Sequence, residues 1–227
     1  MLVRKLVFAL CFFAAPASAQ EGHKASFDCA KARTPVEKAI CGSYYAAELD
    51  RAMDELYRAA IARAPGQRAA AEAAQRQWLA ARDARCGRAK PDTECLTRLY
   101  KDRIVALVRI ARDAKDAPIA GRYVYGEKGE AGELFLAEMP DGTTFVLIDT
   151  INVAHVSPHS CSFLERLKDR RGDVLRFNDP QVSKTCALEI AVTGNRAVVR
   201  EAPKDCYELA SYFCGAHGFM LGNYVKR

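Results

Sequence analysis

The chain has 227 residues and nine cysteines, half of its residues are hydrophobic, 27% are charged, and its formal net charge is +6. This composition excludes a disordered tail and a membrane protein with several spans.

The first 19 residues have the organisation of a cleavable export signal. Arg4 and Lys5 precede an apolar run from Leu6 to Ala15, and Ala17-Ser18-Ala19 resembles a signal-peptidase site. The run is far shorter than the roughly 20 residues that a permanent membrane helix needs. We therefore predict cleavage between Ala19 and Gln20.

Export would place the mature chain in the periplasm or outside the cell. Cys11 follows Leu10, where a lipoprotein signal has a small residue, so we do not expect a lipoprotein. Loss of the signal lowers the net charge to +4 and leaves eight cysteines. In an oxidising compartment eight cysteines predict four disulfides, and they argue against nucleotide enzymes, gene regulators and nucleic-acid partners.

The first half of the mature chain predicts a helical bundle. Thr34-Pro35-Val36-Glu37 has the pattern of a capping box with proline at the first helical position. Ser43 is suited to cap a second helix, which Pro65-Gly66 would end. A third helix is expected from about Gln67 to Arg85, and a fourth after Pro91-Asp92-Thr93.

The composition changes near Ala117-Pro118, after which short β-type runs alternate with turn signals such as Pro140-Asp141-Gly142 and Thr193-Gly194-Asn195. We predict an α+β protein with two segregated domains, a disulfide-bonded helical bundle or hairpin at 20–117 and a small antiparallel β sandwich or barrel at 118–227. The expected strands are Gly121 to Glu127, Glu133 to Met139, Thr143 to Asp149, Cys161 to Lys168, Asp173 to Phe177, Cys186 to Val192, Ala197 to Arg200 and Gly218 to Val225.

Nothing in the sequence favours catalysis. No Gly-x-Ser-x-Gly elbow is present, and Cys214 near His217 is better read as a bridged cysteine beside a loop histidine. His155 and His159 have the spacing of helical metal ligands, but Pro158 between them disfavours a helix. We expect no enzyme activity, no catalytic or metal-binding residues and no cofactor.

One basic segment is a candidate binding patch. Arg82, Arg85, Arg88 and Lys90 lie around the end of the third helix and would suit an anionic wall polymer or lipid headgroup. The more common role of such residues is a solvated helix face.

The helical half resembles a known family, the LprI-type lysozyme inhibitor N-terminal domain, from about Ser26 to Ile110. Its two blocks are Ser26-Phe27-Asp28-Cys29, Thr34-x-x-Glu37-Lys38-Ala39-Ile40-Cys41, Leu49-Asp50 and Tyr57, then Gln75-Arg76-x-Trp78-Leu79-x-x-Arg82-Asp83, Cys86, Cys95-Leu96 and Tyr100-x-x-Arg103-Ile104 with Leu107. The resemblance implies an exported helical module that inhibits lysozyme. The same residues can serve the fold alone, with Arg82, Asp83 and Arg103 in a polar cluster that Asp50 caps or pairs with. The second half has no assigned family, and the inhibitory contact residues are unknown.

Four cysteines in each domain allow three pairings. We prefer Cys29–Cys41 with Cys86–Cys95, since each pair brackets a short helix or turn; the rival is Cys29–Cys95 with Cys41–Cys86. In the second domain we prefer Cys161–Cys186 and Cys206–Cys214.

Two functions follow. The first is a periplasmic inhibitor or binder of lysozyme or a related wall hydrolase. The second is a non-inhibitory cell-envelope module that contacts wall polymer, such as peptidoglycan, or another envelope protein. In either case we expect no transmembrane segment in the mature chain.

Overall fold

The structure, a computed structural model, describes residues 24–87, 91–111, 119–127, 129–153, 158–203, 206, 208–214 and 218–227. The export signal, Arg88, Lys90, His155 and His217 lie outside these residues. So does 112–118, which contains the expected domain boundary; the division at residue 117 therefore stays a prediction.

Four α-helices form the first part of the fold, and local sequence signals account for their ends. The Thr34 hydroxyl accepts a hydrogen bond from the amide of Glu37, whose carboxylate accepts from the amides of Thr34 and Arg33. These amides lower the pKa of Glu37. The Ser43 hydroxyl caps the second helix, and Asp92 accepts from the first amides of the fourth. The helices are α1 (Pro35–Cys41), α2 (Tyr44–Arg63), α3 (Arg68–Cys86) and α4 (Thr93–Ala111), with 3-10 turns at Cys29–Lys31 and Pro65–Gln67.

Nine antiparallel strands form the second part as one sheet in the order β4-β3-β2-β1-β9-β8-β7-β6-β5. Because β4 also contacts β6, the sheet curls into a nearly closed barrel. The expected α+β organisation is confirmed, and its second part is a barrel. The strands are β1 (Gly121–Glu127), β2 (Glu130–Glu138), β3 (Thr144–Asn152), β4 (His159–Leu167), β5 (Asp169–Arg171), β6 (Val174–Phe177), β7 (Ala187–Thr193), β8 (Arg196–Ala202) and β9 (Gly222–Lys226), and a fifth helix, α5 (Glu208–Cys214), precedes β9.

The helices pack against the outer face of the barrel. On β2, Leu134 and Leu136 point into the barrel, whereas Phe135 and Ala137 belong to the core that the helices form. Phe145 and Leu147 of β3 alternate with Val146 and Ile148 in the same way. These strands are apolar on both faces because each face is covered. Among the described helices, none has the length and apolar character needed to cross a bilayer.

The four disulfides stay within the two parts of the fold. Cys29–Cys41 and Cys86–Cys95 are the pairs preferred from the sequence. The preferred pairs of the second part, Cys161–Cys186 and Cys206–Cys214, are wrong, since the structure joins Cys161 to Cys214 and Cys186 to Cys206. The reason is α5, which carries Cys214 to β4, while Cys206 lies before that helix and reaches Cys186 ahead of β7.

Candidate functional site

A buried hydrogen-bond network centred on Tyr100 connects α2, α3 and α4. The Tyr100 hydroxyl donates to Oδ1 of Asp50 at 2.6 Å and accepts from Nη1 of Arg82 at 2.7 Å. The second oxygen of Asp50 accepts from the amide and hydroxyl of Ser26, at 2.8 and 2.5 Å. Asp50, Arg82 and Tyr100 are all buried, so the centre of this network is closed to solvent, whereas Ser26 lies at its exposed edge.

Aromatic rings and a second carboxylate hold the Arg82 guanidinium. It lies 5.7 Å from the ring centroid of Trp78, and its Nε and Nη2 contact Oδ1 of Asp83 at 2.8 and 2.7 Å. Burial alone would lower the pKa of Arg82, but the interactions with Tyr100 and Asp83 outweigh it and raise the pKa. Burial, reinforced by the charge of Asp50, raises the pKa of Tyr100. The network therefore holds a permanent cation beside a neutral phenol.

Arg103 lies outside this network. It donates through Nε and Nη2 to Oε1 of Gln75, at 3.1 and 2.8 Å, and the amide nitrogen of Gln75 contacts the sulfur of Met53 at 3.1 Å. Asp50 reaches the expected polar cluster through the Tyr100 hydroxyl, which also contacts Arg82. The expected place of Arg103 in that cluster is wrong, since Arg103 forms a second, separate contact between α3 and α4.

Apart from Met53, the residues in these two contacts come from the sequence blocks that carry the family resemblance. Residues 29–107 match the family described as Lysozyme inhibitor LprI. The match spans the helical part and covers less than half of the chain, and no family is assigned to the barrel. Comparison with curated proteins and with solved structures gave no match. Within the LprI region, the motif residues Asp50, Gln75, Arg82 and Tyr100 are buried, so they serve the fold and cannot contact a partner directly.

An open groove lies where the LprI region meets the barrel, and it is the more suitable place for binding. Its volume is about 440 Å³. At its base the buried ammonium of Lys101, on α4, donates to Oε1 of Glu133 at 2.6 Å and lies 3.8 Å from Asp149. Glu133 also contacts Arg122 at 2.6 Å. The lining comprises Ser43, Tyr45, Thr93, Glu94, Thr97, Arg98, Lys101, Arg122, Glu133, Asp149 and Ser162.

The electrostatics of this junction groove suit recognition. Burial opposes ionisation of Glu133, but Lys101 and Arg122 outweigh it and lower its pKa. The hydroxyl of Ser162 donates to Asp149 at 2.9 Å. Burial raises the pKa of Tyr45, which stays a neutral phenol at the groove wall. The groove thus offers hydroxyls and charges of both signs.

Sequence reasoning missed this groove because its residues come from both halves of the chain. One signal was present in α4. Lys101 precedes Ile104 by three residues and Val108 by seven, so it lies on a helix face whose other members are buried. A lysine on a buried face predicts a carboxylate partner, although the sequence does not identify which one.

The residues considered for metal binding and catalysis do not come together. His159 lies on β4 opposite Asn152, and the other two candidate histidines are outside the described part of the chain. Among the described residues, ligand atoms of Cys186, Glu201 and Cys206 lie close together, but both sulfurs form the Cys186–Cys206 bridge. The absence of catalytic and metal-binding residues stays a prediction.

The expected basic patch needs a correction. Arg82 is buried against Tyr100 and Asp83 and so contributes no surface charge. Arg85 is exposed on α3, and Arg88 and Lys90 are not described. The helix period accounts for the difference, because Arg82 lies four residues after Trp78 and seven after Gln75, on the face that packs against α4.

Proposed function

We propose that this protein is exported and inhibits lysozyme or a related cell-wall hydrolase by binding it. The match of residues 29–107 to the LprI family is the observation that carries this proposal. The buried motif residues favour a folded scaffold, and four disulfides suit an oxidising compartment.

The junction groove is our proposed contact surface. The motif residues Asp50, Arg82 and Tyr100 are buried, so the partner contacts other side chains. The groove presents exposed Glu94 and Arg98 beside half-buried Tyr45 and Asp149. Tyrosine and arginine are enriched at energetically important interface positions. Glu94 and Asp149 supply the negative charge that favours association with a cationic lysozyme.

A cell-wall clearing assay with a c-type lysozyme tests the proposal. The oxidised protein should inhibit clearing in a dose-dependent manner, and less strongly at high salt. Arg98→Ala and Glu94→Gln should each weaken inhibition several-fold, up to roughly tenfold. Arg171→Ala, an exposed change on β5 outside the groove and outside the family match, is the matched control.

The outcomes distinguish a wrong contact surface from a wrong function. Inhibition that is equally strong in all three variants would exclude the groove as the contact surface but would support the inhibitory function. Absence of inhibition at micromolar protein would contradict the function itself and favour a non-inhibitory envelope module. Sedimentation with insoluble peptidoglycan, with and without Arg85→Ala, would then test that alternative.

Export can be tested independently of binding. We expect the intact mass of the secreted protein to equal that of a chain beginning at Gln20. Relative to the fully reduced chain, this mass should be lower by the hydrogens lost in four disulfides. A retained signal, or a lipid adduct on Cys11, would contradict this part of the proposal.

A further inference from the structure

The Cys186–Cys206 disulfide lies beside a buried glutamate that has no part in the junction groove. Glu201, on β8, is only 6% exposed. The two sulfurs of the bridge and a carboxylate oxygen of Glu201 all lie within 4.8 Å of one another. Among the described residues, no other disulfide has a carboxylate grouped with both of its sulfurs. The chemical surroundings of this bridge therefore differ from those of the other three.

The Glu201 carboxylate lies at the apolar interior of the barrel and is only half satisfied. Glu201 pairs with Leu188 on β7, and the side chains of Leu188 and of Leu209 on α5 both belong to the interior core. The carboxylate oxygen Oε1 accepts a hydrogen bond from the amide of Ala210. The other oxygen, Oε2, is closed to solvent and has no hydrogen-bond partner among the described residues. Such an oxygen costs free energy, because it has lost its water and gained no donor in return.

Reduction of the bridge supplies the missing donor. In the disulfide neither sulfur carries a hydrogen, so neither can donate to Glu201. Each thiol formed by reduction carries one S–H group, which is a weak hydrogen-bond donor, and an ionised carboxylate is an acceptor. The reduced form can thus make a hydrogen bond that the oxidised form lacks. Interactions that stabilise only the reduced form make a disulfide easier to reduce.

The two cysteines of the bridge differ in accessibility. Cys186 is fully buried, and its backbone is held by two hydrogen bonds: its amide donates to the Ser183 hydroxyl at 2.9 Å, and its carbonyl accepts from the Asn178 amide at 2.5 Å. Cys206 is partly exposed. In thiol–disulfide exchange the rate depends on which sulfur an incoming thiolate can reach. Cys206 therefore carries the sulfur open to attack, and Cys186 carries the leaving group.

We propose that Cys186–Cys206 is a redox-active disulfide that exchanges with dithiol proteins, and that Glu201 stabilises its reduced form. The Cys186 thiol donates to the free oxygen of Glu201 once the bridge is open. This activity goes beyond hydrolase inhibition and does not depend on it, since no residue of the bridge lines the junction groove.

The exchange is a balanced two-electron reaction. A thiolate of the dithiol protein attacks the Cys206 sulfur, the S–S bond breaks, and the Cys186 sulfur leaves with the electron pair and takes up a proton. The second thiolate of the dithiol protein then attacks its own sulfur in the mixed disulfide and releases the Cys206 sulfur, which takes up the second proton. Two electrons and two protons have passed to the bridge, and the dithiol protein has become a disulfide.

Equilibration of the full oxidised chain with mixtures of reduced and oxidised dithiothreitol tests the proposal. After acid quenching and alkylation, peptide mapping by mass spectrometry gives the reduced fraction of each cysteine pair. We expect Cys186–Cys206 to be half reduced at a ratio of reduced to oxidised dithiothreitol roughly tenfold lower than any other pair requires. This measurement uses the unaltered protein, so it does not depend on the folding of a variant.

Two matched variants test the role of Glu201. Glu201→Gln keeps an acceptor for the Ala210 amide but replaces the free oxygen with a donor, so it should raise the ratio required for half reduction of Cys186–Cys206 roughly tenfold. Glu208→Gln removes the same charge from an exposed position at the start of α5 and should change that ratio less than twofold. Reduction of another pair before Cys186–Cys206, or an equal shift in the two variants, would overturn the proposal.

Discussion

The hydroxyl of Tyr100 lies 2.6 Å from Oδ1 of Asp50, although 50 residues separate them in the sequence. The same hydroxyl accepts from Arg82, so one oxygen atom joins three helices. Tyr100→Phe would leave a buried carboxylate and a buried guanidinium each lacking one hydrogen bond. We expect a loss of about 1–3 kcal/mol in the free energy of unfolding, measured by urea denaturation.

Tyr212→Phe is the control for this substitution. Tyr212 on α5 is 66% exposed, so removal of its hydroxyl should change the free energy of unfolding by less than about 0.5 kcal/mol. Equal effects of the two variants would contradict the assignment of Tyr100 as the centre of the network.

A bidentate ion pair joins the helices to the barrel. Arg166 on β4 donates to both carboxylate oxygens of Glu55 on α2, at 2.8 and 3.0 Å. The pair is partly buried, with side-chain exposures of 21% and 35%. A double-mutant cycle with Arg166→Met and Glu55→Gln should give a coupling energy of about 1–2 kcal/mol.

The pair Arg58–Asp54, at 2.7 Å within α2, is the comparison for that cycle, because the Arg58 side chain is 72% exposed. Solvent screens it and the side chains lose entropy to form it, so its coupling should be below about 0.5 kcal/mol. A coupling for Arg166–Glu55 no larger than that of Arg58–Asp54 would mean that the bidentate pair adds little to the attachment of the helices.

Two glutamates should respond to pH with opposite signs. The pKa of Glu133 is lowered in the fold, so its ionised form contributes stability above its unfolded pKa, and this contribution is lost as pH falls through the folded pKa. Burial, with the charges of Asp179 and Glu48, raises the pKa of Glu165. The folded state then binds the Glu165 proton more tightly, and stability falls as pH rises through its folded pKa.

Thermal denaturation of Glu133→Gln and Glu165→Gln between pH 3 and 7 would measure both effects. At neutral pH we expect Glu133→Gln to destabilise the protein and Glu165→Gln to stabilise it. Both differences from the parent should shrink as pH falls and the parent carboxyls become protonated. A change of the same sign in both variants at neutral pH would contradict the assigned environments.

Local signals in the sequence were sufficient for most of the fold. The capping box at Thr34, the serine cap at Ser43 and the breaks between helices depend on residues close in sequence, so the helix ends could be predicted within a few residues. The strand runs and turn signals predicted most of the barrel for the same reason. Among the elements missed are β5, with three residues, and α5, with seven, each of which contains too few residues for a period to be recognised.

Contacts between distant segments were less predictable. The motif residues Arg82, Asp83 and Arg103 were expected to form one polar cluster with Asp50, but Arg103 pairs with Gln75 instead. The junction groove combines α4 with strands from the other half of the chain. Its residues could not be grouped before it was known which face of the barrel the helices cover.

The Cys161–Cys214 bridge provides the last test, because its loop is much longer than that of Cys186–Cys206. The sequence separations are 53 and 20 residues. If the bridges act by restricting the unfolded chain, their stabilisations should be about 4 and about 3 kcal/mol. Peptide mapping of the unreduced protein should recover these two pairs. Removing both cysteines of the longer loop should cost more stability than removing both of the shorter. Recovery of a peptide linking Cys161 to Cys186 would contradict the observed connectivity, and with it the position of α5 against β4.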